Sequence, residues 1–220
     1  NSRSYPLITY TDGCEVKHIA VDTNPSESYS VSISPLDEEA LIPKLEDLLS
    51  DGGCVGIIVN TVQRAQELAN QLREHFGQDV VRLLHSRFLA PHRIAKEQEI
   101  LKELGKPGEN PYRPQNRIVV GTQVLEQSLD IDFDLLITDL CPMDLLLQRI
   151  GRLHRHLRPE RHRLSKLTLP MCLVMGMKEE EFEPGARDVY GDYLLMRTKC
   201  LLPKQITLPT DIPDLVQNAY

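Results

Sequence analysis

The segment Gln148-Arg149-Ile150-Gly151-Arg152-Leu153-His154-Arg155 sets three arginines on a turn, and seven Lys/Arg residues fall between Arg149 and Lys166 against one acid, Glu160. The chain has 220 residues and a formal net charge of -7, so this stretch opposes its background. The planar fork of arginine stays charged and matches phosphate oxygens bidentately, which makes phosphate chemistry the first expectation. Cations near a helix C-terminus also answer the helix dipole, for about 0.3 to 1 kcal/mol each. One arginine satisfies that need, and the spacing Gln-Arg-x-Gly-Arg-x-x-Arg exceeds it. Arg152 and Arg155 can converge on one terminal phosphate and stabilise charge spreading over its oxygens.

The rest of a nucleotide site is missing from the sequence. No Gly-x-x-x-x-Gly-Lys-Ser/Thr segment occurs, and Gly105-Lys106 lacks the first glycine of such a loop. Asp139 ends an apolar run but is followed by Leu140-Cys141-Pro142, with no Glu. Asp130, Asp132 and Asp134 open like a calcium loop. Leu135 then stands where that loop requires glycine and Cys141 where it requires a bidentate Glu, which leaves a ribose contact or a loop-and-cap role. His154, His156 and His162 lie among arginines that repel a cation, and no carboxylate or thiol completes a ligand set, so no metal site is expected. The five cysteines lack a Cys-x-x-Cys pair, which argues against a disulfide framework or a zinc ribbon. Cys54, Cys141 and Cys172 are expected as buried thiols.

The elements that must position these residues follow from periodicity. Short β-branched runs alternate with helical patterns, the signature of a parallel sheet covered on both faces. Strands are expected at Val55 to Asn60, Val80 to His85, Arg117 to Gly121, Leu135 to Asp139 and Met171 to Met175. A helix between the first two carries Val62, Ala65, Leu68, Ala69, Leu72 and Phe76 on one face and stops at Gly77. Another runs from Pro91 to Leu104, and Lys106 to Asn116, with three prolines, is a loop. Ser34-Pro35 with Asp37 to Glu39 reads as a capped helix start that Pro43 kinks or delays. Val16 to Val21 and Tyr29 to Ile33 are extension strands or connector. In the tail, Glu179 to Glu183 is a solvated acidic run, and helices are expected at Arg187 to Leu202 and Asp211 to Tyr220. Pro142 opens the helix that carries the arginine turn, and Gly151 closes it.

In a parallel sheet, ligands bind beyond the carboxyl ends of the strands. Those ends carry Asn60-Thr61, Ser86-Arg87 and Thr122-Gln123. Each alone reads as a helix cap. Together on one edge, hydroxyls, amides and helix N-termini can hold successive phosphates of a polynucleotide without reading its bases.

VNTVQRAQEL (59 to 68), LHSRF (84 to 88), VGTQVLEQSLDIDFD (120 to 134) and LLQRIGRLHRH (146 to 156) occur in the order of motifs IV, IVa, V and VI of superfamily 2 helicases. The EQSLDIDFD and RIGRLHRH phrases and the tail ITLPTDIPDLVQNAY resemble more closely the CRISPR-associated helicase-nucleases of type I systems. The resemblance implies the second RecA-like lobe: an α/β, three-layer parallel sheet with an α-helical C-terminal extension. It divides the chain into a connector from a first lobe (1–33), the lobe (34–178) and an extension towards a C-terminal domain (179–220).

It also implies a DNA-translocating ATPase, recruited after an RNA-guided surveillance complex opens its target, that feeds single strands to a metal-dependent nuclease domain absent from these residues. ATP and Mg2+ would be bound mainly by the first lobe, so this lobe alone is expected to be inactive. Gln148, Arg152 and Arg155 match residues facing the ATP phosphates, and Asp130 the carboxylate near the ribose. Asn60, Thr61, Ser86, Arg87, Thr122 and Gln123 match positions along the single-strand path, while Arg149 reads as a structural tie. One departure is Gly121, where alanine is expected. Alternatives are a DEAD-box-like RNA helicase lobe and a non-catalytic partner-binding module. No apolar run approaches the roughly 20 residues that span a bilayer, and Asn1 to Tyr10 lacks the pattern of a secretory signal, so a cytoplasmic location is expected.

Overall fold

The computed structural model describes residues 7–21, 28–108, 113–127, 129–158, 163, 165–178 and 181–220. The expectations for 1–6, 22–27, the tip of the proline-rich loop, Glu160 to His162 and Glu179-Glu180 lie outside these. In chain order the elements are β1 (Leu7–Thr11), β2 (Val16–Ala20), β3 (Tyr29–Leu36), α1 (Leu41–Leu48), β4 (Gly53–Ile58), α2 (Val62–Phe76), β5 (Val81–Leu84), α3 (Ala90–Leu104) and β6 (Asn116–Gly121). They continue with α4 (Val124–Gln127), β7 (Leu135–Asp139), α5 (Met143–Ile150), β8 (Met171–Met175), α6 (Pro184–Tyr190), α7 (Asp192–Leu201), β9 (Gln205–Leu208) and α8 (Ile212–Ala219).

Seven strands form one sheet in the order β5-β6-β4-β7-β8-β3-β9, parallel except for β9. Successive side chains of a strand point to opposite faces, so the apolar runs divide between two cores. Val55, Ile57, Ile137 and Val120 meet Leu45 of α1 and Leu68 and Leu72 of α2. Ile58, Leu136, Val119 and Val174 meet Ile100 of α3, Leu146 and Ile150 of α5, and Leu195 of α7. This is a three-layer α/β sandwich, and β4 at its centre is buried throughout.

The five expected strands are all present, within two residues at each end. Three expectations need correction. The helix start at Ser34-Pro35 is strand: β3 continues to Leu36 because β8 pairs with it from Ser32 to Leu36, while β9 on the other side pairs only with Tyr29 to Ser32. Pro35 therefore stands where one side of β3 is open and a missing N–H is tolerated. The expected boundary between 33 and 34 thus falls inside a sheet strand. The helical extension beyond 178 also carries β9, which adds to the same sheet. The helix expected over 187–202 is two helices, broken at Gly191, whose φ of 75° favours glycine.

Gly121 has a local cause. A methyl group there would lie 2.5 Å from the Leu84 backbone oxygen and 2.6 Å from the Leu125 side chain, so alanine does not fit between β5 and α4.

Candidate functional site

The arginine turn is built by the end of α5. Gly151 closes the helix in ordinary right-handed geometry, and the left-handed position falls on His154, with a φ of 49°. Backbone bonds from Phe133 N to the Arg152 oxygen, 2.8 Å, and from His154 N to the Phe133 oxygen, 3.0 Å, clamp the turn to the loop before β7. Burial, reinforced by Arg163, pushes the His154 imidazole down to about 4.

The three arginines then separate. Arg149 is fully buried. Its Nε donates to Glu126 Oε2 at 2.7 Å, and its other nitrogens reach Thr138 Oγ1 (2.8 Å), Asn60 Oδ1 (3.2 Å) and Tyr190 Oη (3.3 Å). It ties the ends of β4 and β7 to α4 and α6. Burial lifts the Glu126 carboxyl above its ordinary range, with Arg149 pulling the other way.

Gln148, Arg152 and Arg155 open instead into one surface concavity, with Glu126, Asp144, and Ile212 and Val216 of α8. Arg152 Nη2 donates to the Glu126 backbone oxygen at 2.6 Å, while its buried Nε–H has no partner. Burial and the charge of Arg155 both depress the Arg152 guanidinium. Arg155 pairs with Asp130, which its hydrogen bond holds below the usual carboxylate range. Two guanidinium groups at one concavity fit a multiply charged phosphate. They supply positive charge only, with no loop to cradle the anion.

Among the described residues, Arg158, Arg163 and Lys166 of the basic run are internally spent. Asp132, fully buried, takes Arg158, Arg163 and the Arg155 backbone N–H. Asp134 takes Arg113 and Arg163, each at 2.8 Å, and the Cys54 N–H. Lys166 pairs with Asp47. Asp132 and Asp134 are thus the acid core of a loop, and Asp130 lies exposed beside it. Among the described residues no group of three or more His, Cys, Asp or Glu could hold a metal ion.

The strand ends split as well. Asn60 and Thr122, expected along the single-strand path, are 3% and 2% exposed. The Asn60 amide donates to the Leu140 oxygen at 2.8 Å and accepts from Arg149. Thr61 caps α2, its hydroxyl accepting from Arg64 N at 3.3 Å. Thr61 and Arg87 border one groove with Glu183 to Gly185, and Ser86 and Arg87 are exposed. Gln123 Nε2 donates to the Asn60 backbone oxygen at 3.1 Å and to Tyr190 Oη at 2.8 Å.

Tyr190, and the pairings of Glu126 with Arg149 and of Arg64 with Asp139, emerge only in the structure. Glu126 had a signal, a lone acid beside apolar Val124 and Leu125. Tyr190 had none.

A parallel α/β lobe with paired arginines at its edge, and no phosphate loop among its residues, is of the RecA-like helicase C-lobe class. The chain belongs, more narrowly, to the Cas3 family. The family model described as CRISPR-associated nuclease/helicase Cas3, C-terminal, matches residues 51–158. The CRISPR-associated nuclease/helicase Cas3 of Streptococcus thermophilus is 51% identical over 99% of this chain and 23% of its own length. The Thermus thermophilus endonuclease/helicase is 37% identical over 89% of this chain and 26% of its length. The structure of T. fusca Cas3-ADP superposes with a TM-score of 0.84 at 31% identity, over 100% of this chain and 28% of that one. A chain of a CRISPR RNA-guided surveillance complex, pre-nicking, superposes at 0.78 and 31% identity, over 99% of this chain and 29% of that one. The chain therefore spans about a quarter of the length of these relatives. No helix among the described residues is long and apolar enough to cross a membrane.

Proposed function

We propose that this chain is the second motor lobe of an ATP-dependent helicase that translocates on and unwinds target DNA in CRISPR antiviral interference. The observation that carries the reading is the shared concavity of Gln148, Arg152 and Arg155, which brings two guanidinium-bearing residues to one opening. Relatives of known structure include forms described as bound to ADP, ATP and AMPPNP, which supports a nucleotide as the anion. ATP with Mg2+, held mainly by a first lobe, supplies the phosphoryl group whose transfer to water drives movement. Arg152 and Arg155 face that group across the cleft and stabilise the charge that develops on its oxygens, while Gln148 orients the polar edge. Arg155 must exchange part of its pairing with Asp130 to do so, which leaves Asp130 free for a ribose hydroxyl.

Thr61, Ser86, Arg87 and Gln123 contact the backbone of single-stranded DNA with their side chains, and Asn60 and Thr122 shape the strand ends behind them. The nuclease and its metal ions belong to another domain, and the protein is recruited after an RNA-guided surveillance complex opens its target, a reading supported by the likeness to a chain of such a complex. Without a phosphate loop, the lobe alone does not turn over ATP.

The test is Arg152→Ala or Arg155→Ala in the two-lobe protein, with strand-stimulated ATP turnover as readout. Loss of an arginine finger lowers turnover by about 10³- to 10⁵-fold. Near-normal turnover in both variants would refute the assignment.

A further inference from the structure

We infer that Tyr190 is a positioning residue that couples strand contact at Gln123 to the arginine turn, an inference that rests on the proposed motor role. Gln123 Nε2 and Arg149 Nη2 both donate to the Tyr190 phenolic oxygen, at 2.8 and 3.3 Å. Arg149 Nε in turn holds Glu126 Oε2 at 2.7 Å, and the Glu126 backbone oxygen accepts Arg152 Nη2 at 2.6 Å. A continuous hydrogen-bonded run therefore joins the proposed strand contact to the proposed phosphate contact. Gln123, Glu126, Arg149 and Arg152 lie within the phrases at 120–134 and 146–156; Tyr190, the last residue of α6, lies beyond both.

One oxygen shared by two donors transmits position. When Gln123 turns its amide towards a DNA phosphate, the phenolic oxygen is left to Arg149 alone, and the guanidinium draws towards it. Glu126 is bound to that guanidinium by its carboxylate and to Arg152 by its carbonyl, so the shift reaches the phosphate arginine. Burial raises the phenol above its ordinary range, so it stays protonated, and the lone pairs of its oxygen accept both bonds. Such chains of polar contacts carry coupling when both ends bias the same arrangement.

Tyr190→Phe in the two-lobe protein removes only the shared acceptor. Gln123 keeps the Asn60 backbone oxygen, and Arg149 keeps Glu126, Thr138 and Asn60, so the fold is retained. The expected result is unchanged ATP turnover without DNA and a stimulation by single-stranded DNA reduced about three- to tenfold, with the melting temperature near that of the parent. Unchanged stimulation overturns the coupling, as does an equal fall in basal and stimulated turnover, the mark of a structural role. Arg152→Ala, run alongside, separates the two levels. Its expected loss of turnover with intact stimulation in Tyr190→Phe overturns the coupling alone. Turnover that survives Arg152→Ala overturns the motor reading and the coupling with it.

Discussion

Arg152 and Arg155 on one side, and Arg149, Arg158 and Arg163 on the other, come from a single run of the chain and end in different electrostatic states. The first pair opens into a concavity, and Arg152 keeps an unused donor. The second set is consumed by Glu126, Asp132 and Asp134, which are buried to 2% exposure or less. A buried carboxylate must be paired, because the desolvation penalty is several kcal/mol per ion. These three buried carboxylates therefore draw in whichever arginines the fold brings within reach. What remains for a ligand is the part of the basic run that the acid core does not use, and charge density along the sequence does not measure it.

The comparison can be broken most directly through turnover. Arg152→Ala and Arg155→Ala carry the largest expected effect, about 10³- to 10⁵-fold in ATP turnover, with little loss of fold. Arg149→Ala should do the reverse to the molecule's balance. It leaves the buried Glu126 carboxyl without its partner and costs about 3 to 5 kcal/mol of stability, read by chemical denaturation. If Arg149→Ala is as stable as the parent, the division between spent and available arginines fails.

A smaller effect lies in the pH dependence of the turn. His154 is held at about 4 by burial and by Arg163, against an ordinary 6.5. Between these values the unfolded chain binds a proton that the folded one refuses, so its contribution to stability is present above pH 6.5 and is lost as pH falls towards 4. His154→Asn keeps a residue that tolerates the left-handed backbone and removes the titration. Its melting temperature should fall less steeply than that of the parent between pH 6.5 and 5, and parallel curves would show that His154 does not titrate in that window.

The smallest effect belongs to Arg87, an exposed arginine outside the turn. Arg87→Ala should weaken single-strand binding at all sequences and reduce the slope of log affinity against log salt by about one. An unchanged slope would remove Arg87 from the proposed path.

The fold and part of the site were legible because they depend on local pattern. The five strands, α2 with its Gly77 stop, and α3 ending before Gly105 follow from hydrophobic period and terminal residues within each segment. The strand character of Ser34-Pro35 and the return of β9 to the sheet were not legible, because each depends on which distant strand pairs alongside. Likewise, the spacing in Gln148 to Arg155 indicated phosphate chemistry and the missing glycine loop excluded a complete nucleotide site.

The sequence by itself determined a parallel α/β lobe, the identity of its arginine turn and the polar types at its strand ends, all carried by residues near one another in the chain. Only the tertiary structure decided which arginines remain available, that Asn60 and Thr122 are buried, and that Tyr190 joins Gln123 to Arg149. Burial and charge pairing are set by contacts between segments tens of residues apart, and no spacing within a segment encodes them.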